Sequence, residues 1–236
     1  MKISKYLLFT ALSIFTISTK TIAQNAGSNQ ALMESTSVTG VFLQTFSLKD
    51  NSAVGTPYLN EEFFPAKISI DEKKVFSARY NAYNDEFEIK IADNNIQNLN
   101  KAIDNITIKM LKSDETFGAL NYMDSKTGLN RGYFIFLTPD NENARLYGRK
   151  TKKFIEAKPA KTGYDIDKPA EFKDAKESFF IAIGDGYAQE VPKKKKEISQ
   201  IWPEKSKEIN AFVKSNKLKT TKVEDLIKLV NYINTL

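Results

Sequence analysis

The chain contains no cysteine and no histidine. Without a thiol it cannot form disulfides, carry a lipid on an N-terminal cysteine or use a thiolate nucleophile. Without an imidazole it lacks the usual general base near neutral pH and the commonest metal ligand. Ser-His-Asp and Cys-His catalysis and ordinary zinc sites are therefore excluded. No P-loop or G-x-G-x-x-G motif occurs either, so we expect no cofactor.

The first 23 residues have the pattern of a secretory signal peptide. Lys2 and Lys5 precede an apolar stretch at residues 6–19, and Thr21-Ile22-Ala23 is a suitable cleavage site. The apolar stretch is shorter than the roughly 20 residues of a transmembrane helix. We expect an exported protein that is periplasmic, outer-membrane-associated or extracellular, without a transmembrane span and not a lipoprotein. The alternative is that the stretch is retained as a membrane anchor.

The formal net charge of +6 is unevenly distributed along the chain. Residues 193–236 hold eleven lysines against five acids, whereas residues 24–192 carry a net charge of −3. The excess positive charge therefore belongs to the C-terminal segment. A nucleic-acid-binding protein is expected to present a basic face across its fold, so we predict no nucleic-acid partner.

Residues 38–191 are rich in short segments that alternate apolar and polar side chains, the pattern of strands with one buried face. The clearest is RYNAYNDEFEIKI, residues 79–91, which we interpret as one internal strand whose acids point to water. Gly184-Asp185-Gly186 lies between two apolar runs and predicts a hairpin, as does the charged turn at residues 71–73. The segment from Leu146 to Ala157 predicts one long basic strand.

From Pro192 onward the apolar spacing becomes helical. One helix is predicted around Ile198 and Ile201, and a second is predicted to end at Asn216. A third is predicted to begin at the capping box formed by Thr221 and Glu224. Before this region, residues 158–176 contain two prolines and a glycine and are expected to be a loop, either a surface insertion or a binding loop.

These patterns predict an α+β protein. Residues 24–37 form a flexible mature N-terminus. Residues 38–191 form an antiparallel sheet that is strongly curved or closed into a partial barrel, because so many half-buried strands need a second layer. Residues 192–236 form a small helical bundle packed on the same domain.

Two groups of residues are candidates for a ligand or partner surface. Four lysines at a predicted helix start oppose the helix dipole, so they mark either a site for phosphate or anionic lipid or a solvated patch. Tyrosines close to asparagines suit a sugar-stacking surface, although cross-strand pairing explains them equally. The candidates are Lys193, Lys194, Lys195, Lys196, Tyr80, Tyr83 and Tyr164.

Carboxylates offer the remaining route to catalysis. A glycoside hydrolase needs two acids across a cleft, and the candidates are Glu61, Glu62, Asp85, Glu86 and Glu88. The alternative is that these acids lie on a solvated strand face. Acidic and amide side chains at residues 93–95 and 140–143 suit calcium, but the spacing fits polar turns better, and we predict no metal site.

Three segments resemble exported proteins of Bacteroidota. They are GTPYLNEEFF with RYNAYNDEFEI, the basic RKTKKFIEAKPAKTGY, and the end of the chain from VPKKKKEISQIWPEK to VEDLIKLVNYINTL. The leader ending in TIAQ is similar to leaders of that phylum. The resemblance implies a Gram-negative cell envelope and a β-sheet body with a Lys-rich helical tail. It implies no catalytic residues.

Three functions are consistent with the sequence. The first is a non-catalytic envelope protein that binds a partner protein, a lipid or a glycan. The second is a carboxylate-dependent glycan hydrolase. The third is a peripheral anchor that holds anionic membrane through the basic tail. An open apolar concave face would favour lipid, and a face filled by the protein's own side chains would favour a protein partner.

Overall fold

The structure is a computed structural model, and it describes residues 40–44, 53–124, 126–162 and 165–236. The predicted signal peptide and the predicted flexible segment 24–37 lie outside the described residues, as does Tyr164. The described residues belong to one unit by their contacts.

Thirteen β-strands occur in the described part of the chain. They are β1 Phe42–Gln44, β2 Phe64–Ile68, β3 Asp71–Asn81, β4 Glu86–Ala92, β5 Asn95–Leu99, β6 Thr107–Met110, β7 Thr116–Asp124, β8 Gly128–Phe136, β9 Ala144–Arg149, β10 Lys152–Ile155, β11 Glu171–Asp174, β12 Ser178–Ile183 and β13 Ala188–Glu190. Eleven form one sheet in the order β1-β5-β4-β3-β2-β6-β7-β13-β12-β9-β8, and β10 and β11 pair separately.

Five strands of the large sheet close on themselves. β8 pairs with both β9 and β7, so the series β7-β13-β12-β9-β8 returns to its start as a five-stranded barrel. Its pairs are antiparallel except β7–β13, where Ala188 lies opposite Tyr122 and Gln189 opposite Met123 in parallel register. The other six strands extend from β7 as an outer sheet, in the order β6-β2-β3-β4-β5-β1.

Aromatic side chains fill the barrel. The buried cluster draws on all five barrel strands and consists of Tyr122, Phe134, Tyr147, Phe180, Ala182 and Ala188. The Phe134 ring centroid lies 4.9 Å from that of Phe180 and 5.3 Å from that of Tyr122, spacings typical of edge-to-face contacts. Gly118 is needed on this inner face, because a Cβ there would overlap the ring of Phe136.

The alternate residues of β7 and β8 point away from the barrel and pack against the outer sheet. Phe117 and Tyr133 belong to this second core, and both rings lie against Phe87 of β4, at 5.1 and 5.0 Å. Because side chains alternate across a strand, β7 and β8 therefore serve two cores at once.

The C-terminal segment covers the outside of the barrel. It comprises 3₁₀ helices at Lys195–Ile201 and Pro203–Lys205, and the α-helices α1 Ser206–Ser215 and α2 Val223–Ile233. Its apolar side chains pack against Leu146 of β9 and Ile181 of β12. After α2, the Asn234 side chain accepts a hydrogen bond from the Ala144 N–H and donates one to the Ala144 carbonyl, at 2.6 and 2.9 Å.

A buried carboxylate joins the outer sheet to the barrel. Asp85 lies in the turn between β3 and β4, and its Oδ1 accepts hydrogen bonds from the Tyr80 hydroxyl at 2.6 Å and the Tyr133 N–H at 3.1 Å. Its Oδ2 accepts from Lys101 Nζ at 2.9 Å and Arg149 Nη2 at 3.3 Å. We call these five residues the Asp85 cluster.

The cations of the Asp85 cluster compensate its buried anion. Burial and the neighbouring carboxylate raise the pKa of Tyr80 well above its ordinary value, so the phenol stays a donor. Burial alone would lower the pKa of Arg149, but Asp85 and Tyr122 outweigh it and raise that pKa. The guanidinium therefore stays charged inside the protein.

The predicted α+β class is confirmed, and so is the pairing of the two hairpins, β2–β3 and β12–β13. The turn of the first hairpin was predicted at residues 71–73 but lies at residues 69–70, and residues 71–73 begin β3. The interpretation of residues 79–91 as one strand is wrong. Residues 82–85 turn the chain between β3 and β4. The Asn81 carboxamide oxygen accepts the N–H groups of Tyr83 and Asn84, which is the turn-forming behaviour of asparagine.

Three further details differ from the predictions. The basic segment 146–157 is divided into the end of β9 and β10. The predicted loop 158–176 contains β11, which pairs with β10. The predicted capping box does not form, since α2 has Lys222 at its N-cap with no side-chain cap. Asp225 instead accepts the Lys219 N–H at 2.9 Å.

We expect Asp85→Asn to lower the free energy of unfolding by about 3 kcal/mol, because it leaves the partly buried cations Lys101 and Arg149 without their anion. Urea unfolding followed by the fluorescence of Trp202, the only tryptophan, measures the loss. Asp114→Asn is the matched control. Asp114, like Asp85, has a positive φ, here 58°, but it forms only an exposed ion pair with Lys109. Its loss should stay below about 1 kcal/mol. Equal losses in both variants would contradict a special role for Asp85.

Candidate functional site

The residues predicted as a ligand surface are dispersed. Tyr80 is 5% exposed and belongs to the Asp85 cluster, so its placement on an accessible surface is wrong. Tyr83 is 48% exposed, but its ring packs against Phe172 at 5.3 Å. Tyr164 lies outside the described residues. The structure therefore brings no tyrosine surface together around residues 80–84.

The four predicted lysines, Lys193, Lys194, Lys195 and Lys196, are all exposed. Only Lys194 forms an ion pair within the described residues, with Glu197 at 3.2 Å. The segment begins a 3₁₀ helix of seven residues rather than the α-helix that the sequence predicted. The lysines are thus accessible to an anionic partner.

Two of the candidate catalytic acids are buried and fully engaged. Asp85 is held in its cluster, as described above. Glu88 is 2% exposed, accepts the Tyr58 hydroxyl at 3.0 Å and pairs with Arg79 at 2.6 Å, so its predicted position on a wet face is wrong. Arg79 also lies 3.8 Å from the Tyr58 ring centroid. Acids held in this way stabilise the fold and are not presented to a substrate.

The other three candidate acids also fail to form a pair across one cleft. Glu61 and Glu62 are exposed and follow each other in a loop. Glu86 is half-buried beside Asn81 at the start of β4. Burial raises the pKa of Glu86, and the positive charge of Lys101 opposes that effect only partly.

A polar cleft of about 370 Å³ lies where the barrel wall is incomplete. On the side away from β8, β6 pairs with β7 as far as Gly118, and β13 joins β7 only from Tyr122. Among the described strands, none pairs with residues 119–121 on the edge of β7 that faces away from β8, so the wall has a gap there. The tip of the β12–β13 hairpin forms the opposite wall, through residues 185–187. We call this opening the β7–β13 cleft.

The side chains of the β7–β13 cleft are of mixed charge. Arg131 and Arg145 supply guanidinium groups, and Asn121 supplies an amide. Carboxylates come from Asp104, Asp140 and Asp185. Tyr187 stands at the rim and is 47% exposed. The cleft therefore presents donors, acceptors and an aromatic ring together.

Internal contacts fix most of these groups in place. Arg131 donates to the carbonyls of Lys101 and Ile103 at 2.7 and 3.0 Å and pairs with Asp104 at 3.0 Å. Arg145 donates through Nη2 to the Gly184 carbonyl.

The buried Nε of Arg145 has no hydrogen-bond partner among the described residues. This nitrogen has almost no accessible surface, so a ligand in the cleft does not reach it.

Tyr147 and Asp140 form the inner end of the cleft. The Tyr147 hydroxyl donates to Asp140 Oδ1 at 2.8 Å. Burial raises the pKa of Tyr147 above its ordinary value, and the hydrogen bond to Asp140 raises it further. The phenol is therefore a fixed donor at every physiological pH.

Sequence reasoning missed the β7–β13 cleft. It located one wall, the Gly184-Asp185-Gly186 turn, through the hairpin signal. Arg131 lies in β8 and Arg145 in β9, and neither was among the residues that the sequence pattern singled out. No local pattern brings residues 119–121 to residues 185–187.

Within the described residues, no helix is both long and apolar enough to cross a membrane. The same residues contain no group of three or more acidic side chains arranged to hold a metal ion. No protein-family model, curated protein or solved structure matches this chain.

The raised pKa of Glu86 makes a pH-dependent prediction. Because its folded-state pKa lies above the ordinary 4.5, ionisation of Glu86 destabilises the fold as pH rises through that range. We expect Glu86→Gln to raise the melting temperature at about pH 7 and to leave it nearly unchanged at about pH 4, where the wild-type carboxyl is protonated. Thermal unfolding at both pH values measures this.

Glu72→Gln, at an exposed position of β3, is the control and should show no such difference. A Glu86→Gln variant that is less stable than wild type at about pH 7 would contradict the argument.

Proposed function

We propose that the protein is a non-catalytic binding protein of the bacterial cell envelope, and that it binds a glycan in the β7–β13 cleft. The observation that carries the proposal is the chemistry of that cleft. Sugar hydroxyls are both donors and acceptors, and the cleft offers guanidinium donors beside carboxylate acceptors. A charged ligand of one sign or an apolar ligand would match only part of this lining.

The exposed Tyr187 ring supports the same ligand class. A tyrosine at the rim of a polar cleft has an apolar face for the C–H side of a sugar and a hydroxyl that stays in water. The groups that line the cleft are held by internal hydrogen bonds, so little ordering is needed when a ligand binds.

A lipid is less well supported. The barrel interior is filled by Phe134, Tyr147 and their neighbours, so it has no chamber for an acyl chain. An apolar pocket does occur between β2, β6 and the loop that precedes β2, lined by Leu59, Phe64 and Met110. Its volume of about 300 Å³ is at the lower end of the range of ligand cavities and small for a two-chain lipid.

Glycan hydrolysis is the second candidate, and the cleft does not favour it. A hydrolase needs one protonated acid opposite a second carboxylate. Asp104 is paired with Arg131, and Asp140 accepts the Tyr147 hydroxyl, so both are held as hydrogen-bond acceptors. Asp185 is the third carboxylate of the cleft, and like Asp104 and Asp140 it is exposed. This arrangement suits recognition of hydroxyl groups more than proton transfer.

The proposed location depends on the leader and on the resemblance to exported Bacteroidota proteins. In this proposal the signal peptide is removed on export, and the mature chain works in the periplasm or at the outer membrane. The helical segment 192–236 is proposed to form a small bundle on the β body. A partner protein of the envelope is the alternative ligand for the same cleft.

We expect Tyr187→Ala to weaken glycan binding by about tenfold, a loss of about 1.4 kcal/mol. The measurement is calorimetric titration of the purified protein with a panel of neutral malto-, chito-, xylo- and manno-oligosaccharides. Release of reducing ends from the same sugars tests for hydrolysis.

Tyr83→Ala is the matched control for Tyr187→Ala, because Tyr83 is equally exposed but lies outside the cleft. It should leave the affinity unchanged. Absence of binding by wild-type protein to every oligosaccharide, or an equal loss in the two variants, would overturn the proposal.

A further inference from the structure

A second concave site lies where the sheet gives way to the helices. It has a volume of about 250 Å³ and is formed by the start of β12, the end of β13 and the turn before α2. The hydrogen bond from Thr220 Oγ1 to the Lys193 carbonyl, at 3.1 Å, joins the turn to the chain after β13. The Val191 N–H also donates to the Phe179 carbonyl at 2.8 Å. We call this site the junction pocket.

Two lysines line the junction pocket, and they come from the two segments that stood out in the sequence. Lys176 ends the proline-containing segment 158–176, and Lys193 begins the lysine run. Both side chains are exposed, and neither forms an ion pair with any residue that the structure describes. Two ammonium groups without counter-ions therefore border one small cavity.

The rest of the lining supplies hydroxyl groups. Ser178, Thr220 and Thr221 line the pocket beside the lysines. Hydroxyls donate hydrogen bonds to anionic oxygens, and Lys binds phosphate as a point charge. No arginine lines the pocket, so its positive charge comes from the two lysines. A phosphate group offers three acceptor oxygens to these ammonium and hydroxyl donors, and a carboxylate offers two.

The charge around the pocket is positive although two acids also line it. Glu177 and Glu190 oppose Lys176 and Lys193 within the lining. Lysines 194–196 follow Lys193 along the chain, and Lys219 and Lys222 flank the two threonines. The segments that form the pocket, residues 176–178, 190–197 and 219–225, hold seven lysines against five acids, a net charge of +2. The local field therefore attracts an anion despite the two glutamates.

We propose that the junction pocket binds a phosphate group, with Lys176 and Lys193 as its charge partners and the hydroxyls of Ser178 and Thr221 as donors, since the Thr220 hydroxyl already donates to the Lys193 carbonyl. The phosphate belongs either to a soluble phosphorylated compound or to a lipid headgroup. This site is separate from the β7–β13 cleft and does not depend on the proposed glycan. It also assigns the lysine run a specific role, because only its first residue lines the pocket.

The test uses two double variants of equal charge. Lys176→Gln/Lys193→Gln removes both pocket lysines, and Lys195→Gln/Lys196→Gln removes two exposed lysines that do not line the pocket. Calorimetric titration with inorganic phosphate, at an ionic strength matched with chloride, should show an affinity at least about tenfold lower for the pocket variant. The control variant should differ from wild type by less than about twofold.

Sedimentation with vesicles distinguishes the two sources of phosphate. Phosphatidic acid in phosphatidylcholine offers a headgroup phosphate monoester, and phosphatidylcholine alone is the blank. Pocket-dependent binding to both inorganic phosphate and the acidic vesicles supports a lipid headgroup, and binding to inorganic phosphate alone supports a soluble compound.

Two results would overturn the phosphate proposal. One is an equal loss in the two double variants, which would show a diffuse electrostatic effect. The other is the absence of phosphate and vesicle binding by wild-type protein at millimolar concentration. Thermal unfolding of all variants checks that the fold is intact, which is expected because the four lysines are exposed.

Discussion

The carboxylate of Asp85 is the contact on which the arrangement of the two β layers depends. It lies in a turn of the outer sheet, yet two of its four partners, Tyr133 and Arg149, belong to barrel strands. The cluster also restricts one position of β8, Gly132. A Cβ at Gly132 would lie 2.9 Å from Asp85 Oδ2 and 3.0 Å from Arg149 Nη2, so the strand needs glycine there. One buried ion network thus fixes a turn, a strand and the angle between two layers.

Local patterns in the sequence predicted which strands and turns form better than they predicted where each strand begins and ends. The hairpin at Gly184 was predictable, because glycines between two apolar runs leave few other conformations. Residues 79–91 were misinterpreted because the period of two continues through the turn that Asn81 directs. Glu88 was placed in water because a polar strand face is normally solvated, but Arg79 and Tyr58 cover it. The alternation of apolar and polar residues along a strand predicts which face of the sheet a side chain occupies. It does not predict which other side chains cover that face.

The candidate sites were less predictable than the fold for the same reason. The β7–β13 cleft combines Arg131, Arg145 and the hairpin tip, which are far apart in the chain and meet only through barrel closure. The lysine run was visible in the sequence, but Lys193 differs from Lys195 only by lining a pocket. Both sites are on the surface, because the three cores are filled by side chains of the protein itself. Both proposed ligands are therefore assigned to surface concavities and not to an internal chamber.

The short parallel pair between β7 and β13 has a consequence for folding. It joins Tyr122 to Ala188, residues 66 positions apart in the chain, and it contains only two residue pairs in register. Closing such a long loop costs chain entropy before the contact stabilises anything, so non-local pairs of this kind form late. The seam is therefore the place where the barrel opens first under thermal or mechanical stress. The cleft lies along this seam. A ligand that contacts both β7 and the tip of the β12–β13 hairpin would therefore hold the two strands together and slow the opening of the barrel.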